Sequence, residues 1–555
     1  MTISFQLNLN KGKFMNTDLT KEQKDYAIFL PAISGFYATF IGKQRREEYV
    51  QRSRIPKNFP VEIESMNWLE PKAGMFNYHW SLYSAGHAEL DVNKDSPKED
   101  MIRNRDRNNS WLLGDSGGFQ IGKGVWEGDW KDPNCPKAMK KRTQVLTWMD
   151  AYMDYGMILD IPAWVARSPA GVKATGISTY QEAVDATRIN NDYFMKHRNG
   201  NCKFLNVLQG ENHTDAEDWY QQMKDYCDPV KYPDNHFNGW SMGGQNMCDI
   251  HLVLKRLVAL RFDGLLETGI HDVMHFLGTS KLEWATLLTD IQRAVRKYHN
   301  PNFMITFDCA SPFLATANGQ LYIQTETKDR TKWVYRMVPS IDELKYATDT
   351  RNFRDAVLQD GIFKNFTDSP ISKGLEVKDI CIYAPGDKNL IGTPKILKGD
   401  IDRDKHGAPI LDEQGNQVIR KRDSTSWDSF SYAIQMGHNV WSHINAVQEA
   451  NRQYDSGVLP SMLVEEKFDR LLFKDVVEEI FATDNRDKAN AVIEKYSKFW
   501  MSIIGTRGAT GKKTVNAQTQ FNALFDDADS VPSSEPTEEV VLDESKLEEM
   551  VNEQN

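Results

Sequence analysis

The chain is punctuated by short apolar runs that stop on a polar residue or a glycine. They lie at Tyr26–Pro31, Trp111–Gly114, Met157–Leu159, Phe204–Leu208, Phe237–Met242 and Phe303–Phe307. Their length and lack of alternation predict strands buried on both faces, as in a parallel sheet. Between several of them lie stretches with helical spacing, "RTQVLTWMDAYMDYG", "TYQEAVDATRINNDYFMKH", "DIHLVLKRLVALRF" and "SKLEWATLLTDIQRAVRKY". Strand alternating with helix predicts an α/β fold, and the common closed form is a TIM (β/α)8 barrel. Five of the runs lead into chemistry: Asp115, Asp160, Gln209-Gly210, Gly243-Gly244 and Asp308. One such residue is an ordinary strand-end cap. Five in succession are what a barrel active site at the C-terminal ends of its strands requires.

The barrel pattern occupies residues 1–312 as the first part of the catalytic domain. Residues 313–430 read differently. "FLATANGQLYIQTETKDRTKWVYRMV" and "KGDIDRDKHGAPILDEQGNQVIRKRDS" look like hairpins, the second with Gly407 and Gly415 at its turns, and predict a β-rich insertion outside the barrel. Helical spacing resumes over 431–520. Residues 521–555 hold eleven acidic side chains and one lysine, a charge of −10 out of the chain's −11. Low aromatic content and high charge predict a disordered acidic tail there.

The body is therefore near neutral, yet it carries basic clusters at Lys43–Arg46, Arg52–Lys57, Arg103–Arg107, Lys137–Arg142 and Arg420–Arg422. Together they point to a nucleic-acid groove, with Lys43, Arg45, Arg46, Lys140, Lys141, Arg142, Arg420, Lys421 and Arg422 as the candidate contacts. The six cysteines are scattered without Cys-x-x-Cys spacing, which predicts a reducing cytoplasm rather than a disulfide scaffold. No run reaches the roughly 18 apolar residues of a membrane helix, and the N-terminus lacks the continuous apolar stretch of a secretory signal.

The segment "GDSGGFQ", Gly114–Gln120, contains the pentapeptide around the serine nucleophile of trypsin-like proteases. Those enzymes are all-β with a histidine base, and the alternating pattern here argues against that fold. The block instead resembles the tRNA-guanine transglycosylase family. That family's Asp-Ser-Gly-Gly-aromatic-Gln stands here as Asp115–Gln120. Its base-recognition aspartate matches Asp160, its Val-Gln-Gly block Leu208-Gln209-Gly210 and its Gly-Gly block Gly243-Gly244. Its Tyr-Leu-Met-Gly block matches Phe276-Leu277-Gly278, and its Phe-Asp-Cys-x-x-Pro block Phe307–Pro312. The resemblance covers about residues 25–320. It implies a covalent nucleophile at Asp308, proton management at Asp115, and base recognition by Asp160, Gln209, Gly243, Gly244 and Gly278, with Phe119 and Leu277 on the ring faces.

The family also carries zinc on Cys-x-Cys-x-x-Cys plus a downstream histidine. His438 matches the histidine, but the three cysteines are missing, so no metal or other cofactor is expected. Asp160-Ile161-Pro162 replaces the family's Asp-Glu-Cys. These departures, with the long inserts and acidic tail, resemble the phage-type DNA transglycosylases, which place a 7-deazaguanine such as preQ0 into DNA. The expected partners are DNA, with tRNA as the alternative, the free 7-deazaguanine base and a second copy in a homodimer; no membrane is expected. A tRNA enzyme with a degenerate zinc site, a non-catalytic nucleic-acid-binding subunit and a sugar glycosidase on the same barrel stay open at this point.

Overall fold

The computed structural model describes residues 17–46, 54–59, 63–71, 75–358, 369–381, 408–418, 427–466 and 470–504. Eight parallel strands form one sheet. They are β1 (Ile28–Pro31), β2 (Trp80–Ser84), β3 (Trp111–Asp115), β4 (Tyr155–Met157), β5 (Lys203–Leu208), β6 (Gly239–Met242), β7 (Val273–Phe276) and β8 (Met304–Cys309). Neighbours in sequence are neighbours in the sheet, and β8 pairs back onto β1. A single parallel bridge, Ala32 to Leu82, joins β1 to β2 and rounds the sheet into a TIM-like barrel. Apart from a few strand-end positions the strands are buried on both faces, as uninterrupted apolar runs require.

Helices cover the outside. After β1 comes α1 (Gly35–Arg46); after β3 come the short α2 (Gly118–Gly122) and α3 (Pro136–Tyr152). Then follow α4 (Tyr180–His197), α5 (His213–Met223), α6 (Ile250–Phe262) and α7 (Leu282–Tyr298). Local signals set their starts: Pro136 in the first turn of α3, a Thr179–Glu182 capping box on α4, and Asp249 accepting from the Leu252 N–H at the head of α6. Each helix runs back along the barrel, so helix N-termini and strand C-termini share one face.

After β8 the short helix α8 (Ser311–Ala317) leads into an antiparallel hairpin, β9 (Gln320–Glu326) with β10 (Val334–Pro339). The second expected hairpin shows as the Leu411–Gln417 bridge, with Gly415 in the left-handed region; Gly407 lies outside the described residues. The β9–β10 hairpin does not stand apart from the barrel. Trp333 N–H donates to Glu283 on α7 at 2.8 Å, and the Tyr335 hydroxyl donates to the Ser280 carbonyl at 3.1 Å.

The 27-residue helix α9 (Ser429–Asp455) then returns to the barrel wall. Its His443 stacks on Phe29 of β1 at 4.3 Å, and Tyr454 donates to Asp290 of α7 at 2.5 Å. The barrel strands are thus complete by Cys309, but the wall is completed by α9 from beyond the insertion. Helices α10 (Phe473–Ala482), α11 (Arg486–Lys495) and α12 (Ser497–Ile504) dock outside α6 and α7, with Arg261 donating to the Phe481 carbonyl at 2.8 Å and Lys297 paired with Glu478 at 2.6 Å. The expected disordered tail lies outside the described residues. Among the described residues no helix is long and apolar enough to cross a membrane.

Candidate active site

Every polar strand ending singled out in the sequence sits at the same end of the barrel. Asp115 closes β3 and Asp308 is the penultimate residue of β8; Asp160, Gln209, Gly243-Gly244 and Leu277-Gly278 follow β4, β5, β6 and β7 within three residues. Parallel register aligns these ends, since Met242 pairs with both Leu208 and Phe276, and Phe276 with Phe307.

Asp308 has one oxygen anchored. Oδ1 accepts from the Gly278 backbone N–H at 2.9 Å and lies 3.2 Å from His275 Nε2. Its side chain is 13% exposed, whereas the His275 ring is fully buried. Side chains two apart on a strand share a face, so Thr306 and Asp308 both point into the barrel. Thr306 pairs in register with His275 on β7, and its hydroxyl meets His275 Nδ1 at 2.9 Å. Sequence reasoning missed His275; its signal was a histidine one residue before the matched Phe-Leu-Gly block.

Asp115 accepts from Ser84 Oγ at 2.7 Å and from the Gly117 N–H at 3.3 Å. Ser84 pairs with Asp115 in register from β2. Burial raises the Asp115 carboxyl above its ordinary range against the pull of these two donors, and the Asp308 charge raises it further. The neighbouring Ser116 is buried, and among the described residues no histidine ring bonds to it.

Asp160 is held from both sides. Gln209 Nε2 donates to its Oδ2 at 2.8 Å. Its loop is fixed by Thr187 accepting from the Ile161 N–H at 2.9 Å and by Asn190 donating to the Leu159 carbonyl at 2.6 Å. Burial pushes its carboxyl up to about 7; the Gln209 bond opposes that rise and the Asp115 charge adds to it. The glycines of the β3 block explain how these loops meet. A Cβ on Gly118 would stand 2.6 Å from the Asp160 carbonyl oxygen, so any side chain there would push the Asp160 loop off β3. Gly244 plays the same part between β5 and β6. It takes φ +54°, and a Cβ on it would stand 2.4 Å from the Gly210 carbonyl. Fully buried Asn246 ties the two loops by donating to the Gln209 and Gly243 carbonyls at 3.0 and 3.2 Å.

Two half-buried apolar side chains belong to these same loops. Phe119 lies 6.0 Å from Trp164 with Lys123 Nζ over both rings, at 5.3 and 5.9 Å. Leu277 packs on Met247 and Cys248. Trp164 too escaped sequence reasoning. Buried carboxylates beside amide donors, with aromatic surface alongside, suit a flat polar ring with N–H donors on one edge.

No protein-family model matches the chain, and no characterised protein is similar to it in sequence.

The basic clusters change meaning in the fold. Arg142 is fully buried, its Nε donating to Asn190 at 2.6 Å, so it is an internal strut and not a phosphate contact. Lys140 is exposed and Lys141 lies over Trp126 at 4.7 Å, both near the N-terminal end of α3 on the site's face. Arg54 is buried in a two-point pair with Asp428, and Arg103, Arg105 and Arg107 are taken up by Glu99, Asp154 and backbone carbonyls. The side chains of Lys43, Arg45 and Arg46, and all of Arg420, Lys421 and Arg422, lie outside the described residues.

The residues around His438 do not fit the zinc site that the resemblance implies. Nδ1 lies 2.9 and 3.1 Å from the hydroxyls of Ser369 and Ser372, and Nε2 lies 2.8 Å from the Tyr322 carbonyl. Ser369-x-x-Ser372 has the spacing of the family's Cys-x-x-Cys with hydroxyls for thiols. A neutral hydroxyl is a poor ligand for zinc, and the cluster closes on itself by hydrogen bonds. Cys381 donates to the Ile341 carbonyl at 3.3 Å.

Proposed function

We propose that the chain is a base-exchange glycosyltransferase that replaces guanine in DNA with a 7-deazaguanine base such as preQ0. The observation that carries this reading is the convergence of three carboxylates in three different settings at one barrel mouth. Asp308 keeps one oxygen anchored and its side chain partly open. Asp115 is raised by burial and by the Asp308 charge. Asp160 is buried against an amide.

In the proposed first step Asp308 Oδ2 attacks C1′ of the target nucleotide. The C1′–N9 electron pair leaves with guanine, which takes a proton from Asp115. In the second step Asp115 removes a proton from the incoming base, whose nitrogen attacks C1′ and returns the ester electrons to Asp308. This is the double displacement of retaining glycosidases, and it needs no redox partner. Asp160 accepts from the N1–H and amino group of the purine edge. Gln209 and the Gly244 backbone N–H donate to its carbonyl, and Phe119 and Leu277 cover its faces. The reacting nucleotide has to leave the duplex stack to reach such a mouth. Lys140 and Lys141 hold its phosphates, a contact blind to sequence.

The choice of DNA over tRNA is supported by the departures from the tRNA family, above all the serine cluster where zinc would sit. The experiment is exchange of labelled guanine into single-stranded DNA, duplex DNA and a tRNA transcript in parallel. Label entering DNA only is the expected result. Label entering tRNA only would return the protein to tRNA modification, and label entering neither would overturn base exchange.

A further inference from the structure

We infer that His275 is a positioning residue for the nucleophile: with Thr306 behind it, it delivers a proton-bearing nitrogen to Asp308 Oδ1 and so commits Oδ2 to attack. The inference rests on the base-exchange reading for its kinetic consequence, but the contact itself stands on geometry.

The ring is fully buried and bounded at both nitrogens. Nδ1 is 2.9 Å from Thr306 Oγ1, and Nε2 is 3.2 Å from Asp308 Oδ1. An ionised carboxylate only accepts, so Nε2 carries the proton. In the neutral ring Nδ1 then accepts, and the Thr306 hydroxyl supplies the proton it needs. The donors line up in one direction, from Thr306 to His275 to Asp308. Gly278 N–H adds a second donor to the same oxygen at 2.9 Å. Such a chain selects the tautomer of the middle ring.

Both donors change in strength along the reaction, because the oxygen they share changes. When Oδ2 bonds to C1′, Oδ1 becomes an ester carbonyl, a weaker acceptor than a carboxylate oxygen. When the incoming base displaces the sugar, the bond pair returns to Asp308 and both donors strengthen. His275 therefore favours release of the sugar from the enzyme over its retention. Removing it leaves the ester as the better-stabilised state, since a hydrogen bond to a charged group is worth more than one to a neutral group. A residue that merely fills the barrel would slow both steps alike and leave their balance unchanged.

The test uses the full-length protein, a labelled DNA oligonucleotide and guanine, with the covalent adduct read on a denaturing gel. His275→Phe should shift the ratio of adduct to free enzyme about tenfold toward adduct, the size of one charge-assisted hydrogen bond. His275→Gln, which can carry a donor to the same oxygen, should restore much of the balance, and Thr306→Val should move it in the same direction as His275→Phe by less. An unchanged ratio in folded His275→Phe protein would overturn the inference. A second arm needs no activity. In protein labelled with ¹⁵N-histidine, the His275 Nε2-bound proton should appear downfield and be lost in Asp308→Ala; a bare Nε2 in the wild type would also overturn it. If the wild type forms no adduct with any nucleic acid, the proposed function fails, while the ring spectrum still decides whether His275 serves Asp308.

Discussion

Replacing Asp160 by asparagine should destroy base exchange and yet make the protein more stable at alkaline pH. An ordinary aspartate titrates near 3.8, and burial pushes Asp160 up to about 7. Above pH 7 the folded protein therefore holds a buried charge that the unfolded chain carries at no cost. At about 1.4 kcal/mol for each tenfold change in the proton equilibrium, the penalty approaches about 4 kcal/mol at pH 8. Asparagine keeps an oxygen to accept from Gln209 and never ionises. For 555 residues, an unfolding entropy of about 2 cal/mol/K per residue converts that gain into a rise of roughly 3–4 °C. The gain must shrink as pH falls. Below pH 7 the folded carboxyl takes up its proton and the penalty declines, and below about pH 4 the unfolded carboxyl is protonated as well and the difference vanishes. Thermal midpoints of wild type and Asp160→Asn at pH 8, 6.5 and 5 provide the assay, with labelled guanine exchange beside them. A variant less stable than wild type at pH 8, or a gain that does not shrink by pH 5, would refute the reasoning. The same charge logic applies to the ligand: a base offering two N–H donors holds Asp160 ionised, so its binding should release a proton near neutrality and tighten as pH rises through 7.

Asp308→Asn should abolish exchange and adduct formation while leaving oligonucleotide binding nearly intact by fluorescence anisotropy; near-normal turnover would remove Asp308 from the chemistry. Asp115→Asn should slow exchange at least about a hundredfold, whereas Ser116→Ala should cost no more than about 1 kcal/mol of stability and little activity; equal losses would reinstate the serine. Ser84→Ala removes a donor that favours ionised Asp115, so the acidic limb of the exchange pH profile should move to higher pH. Elemental analysis should find well under one zinc per chain in wild type, and Ser369→Cys/Ser372→Cys, beside His438, should raise the metal content; stoichiometric zinc in wild type would show ligands that the serine cluster does not supply.

The barrel was legible wherever its strands are plain apolar runs, and illegible where the site needs polar side chains inside them. Six of the eight strands were expected from sequence, with ends shifted by up to two residues. The two that escaped are Trp80–Ser84 and Val273–Phe276. Each carries an inward polar group that serves a carboxylate: Ser84 bonds Asp115 and His275 bonds Asp308. The hydroxyl and the imidazole stand where a strand would otherwise be apolar, so the pattern failed at the residues that bond the two carboxylates. The carboxylates themselves were visible because they stand at strand ends, where the apolar run stops.

The basic clusters failed for a different reason. A guanidinium in a sequence looks solvated until its acid is found, and the acid is far away in the chain: Arg54 meets Asp428 across 374 residues, and Arg105 meets Asp154 across 49. Among the described residues Arg142 has no acid paired with it; it is held by Asn190 and covered by Trp130 and Tyr193, at 5.9 and 5.8 Å. With these arginines spent inside the fold, Lys123 gains weight among the cations of the described residues. Its amine lies over Phe119 and Trp164, so one exposed charge sits on the aromatic surface of the segment that follows Asp115. A polyanion drawn to that charge would bring its bases onto the rings. Recognition of the polymer and recognition of the base would then share the loop that follows β3, which is the loop whose glycines let Asp115 and Asp160 come together.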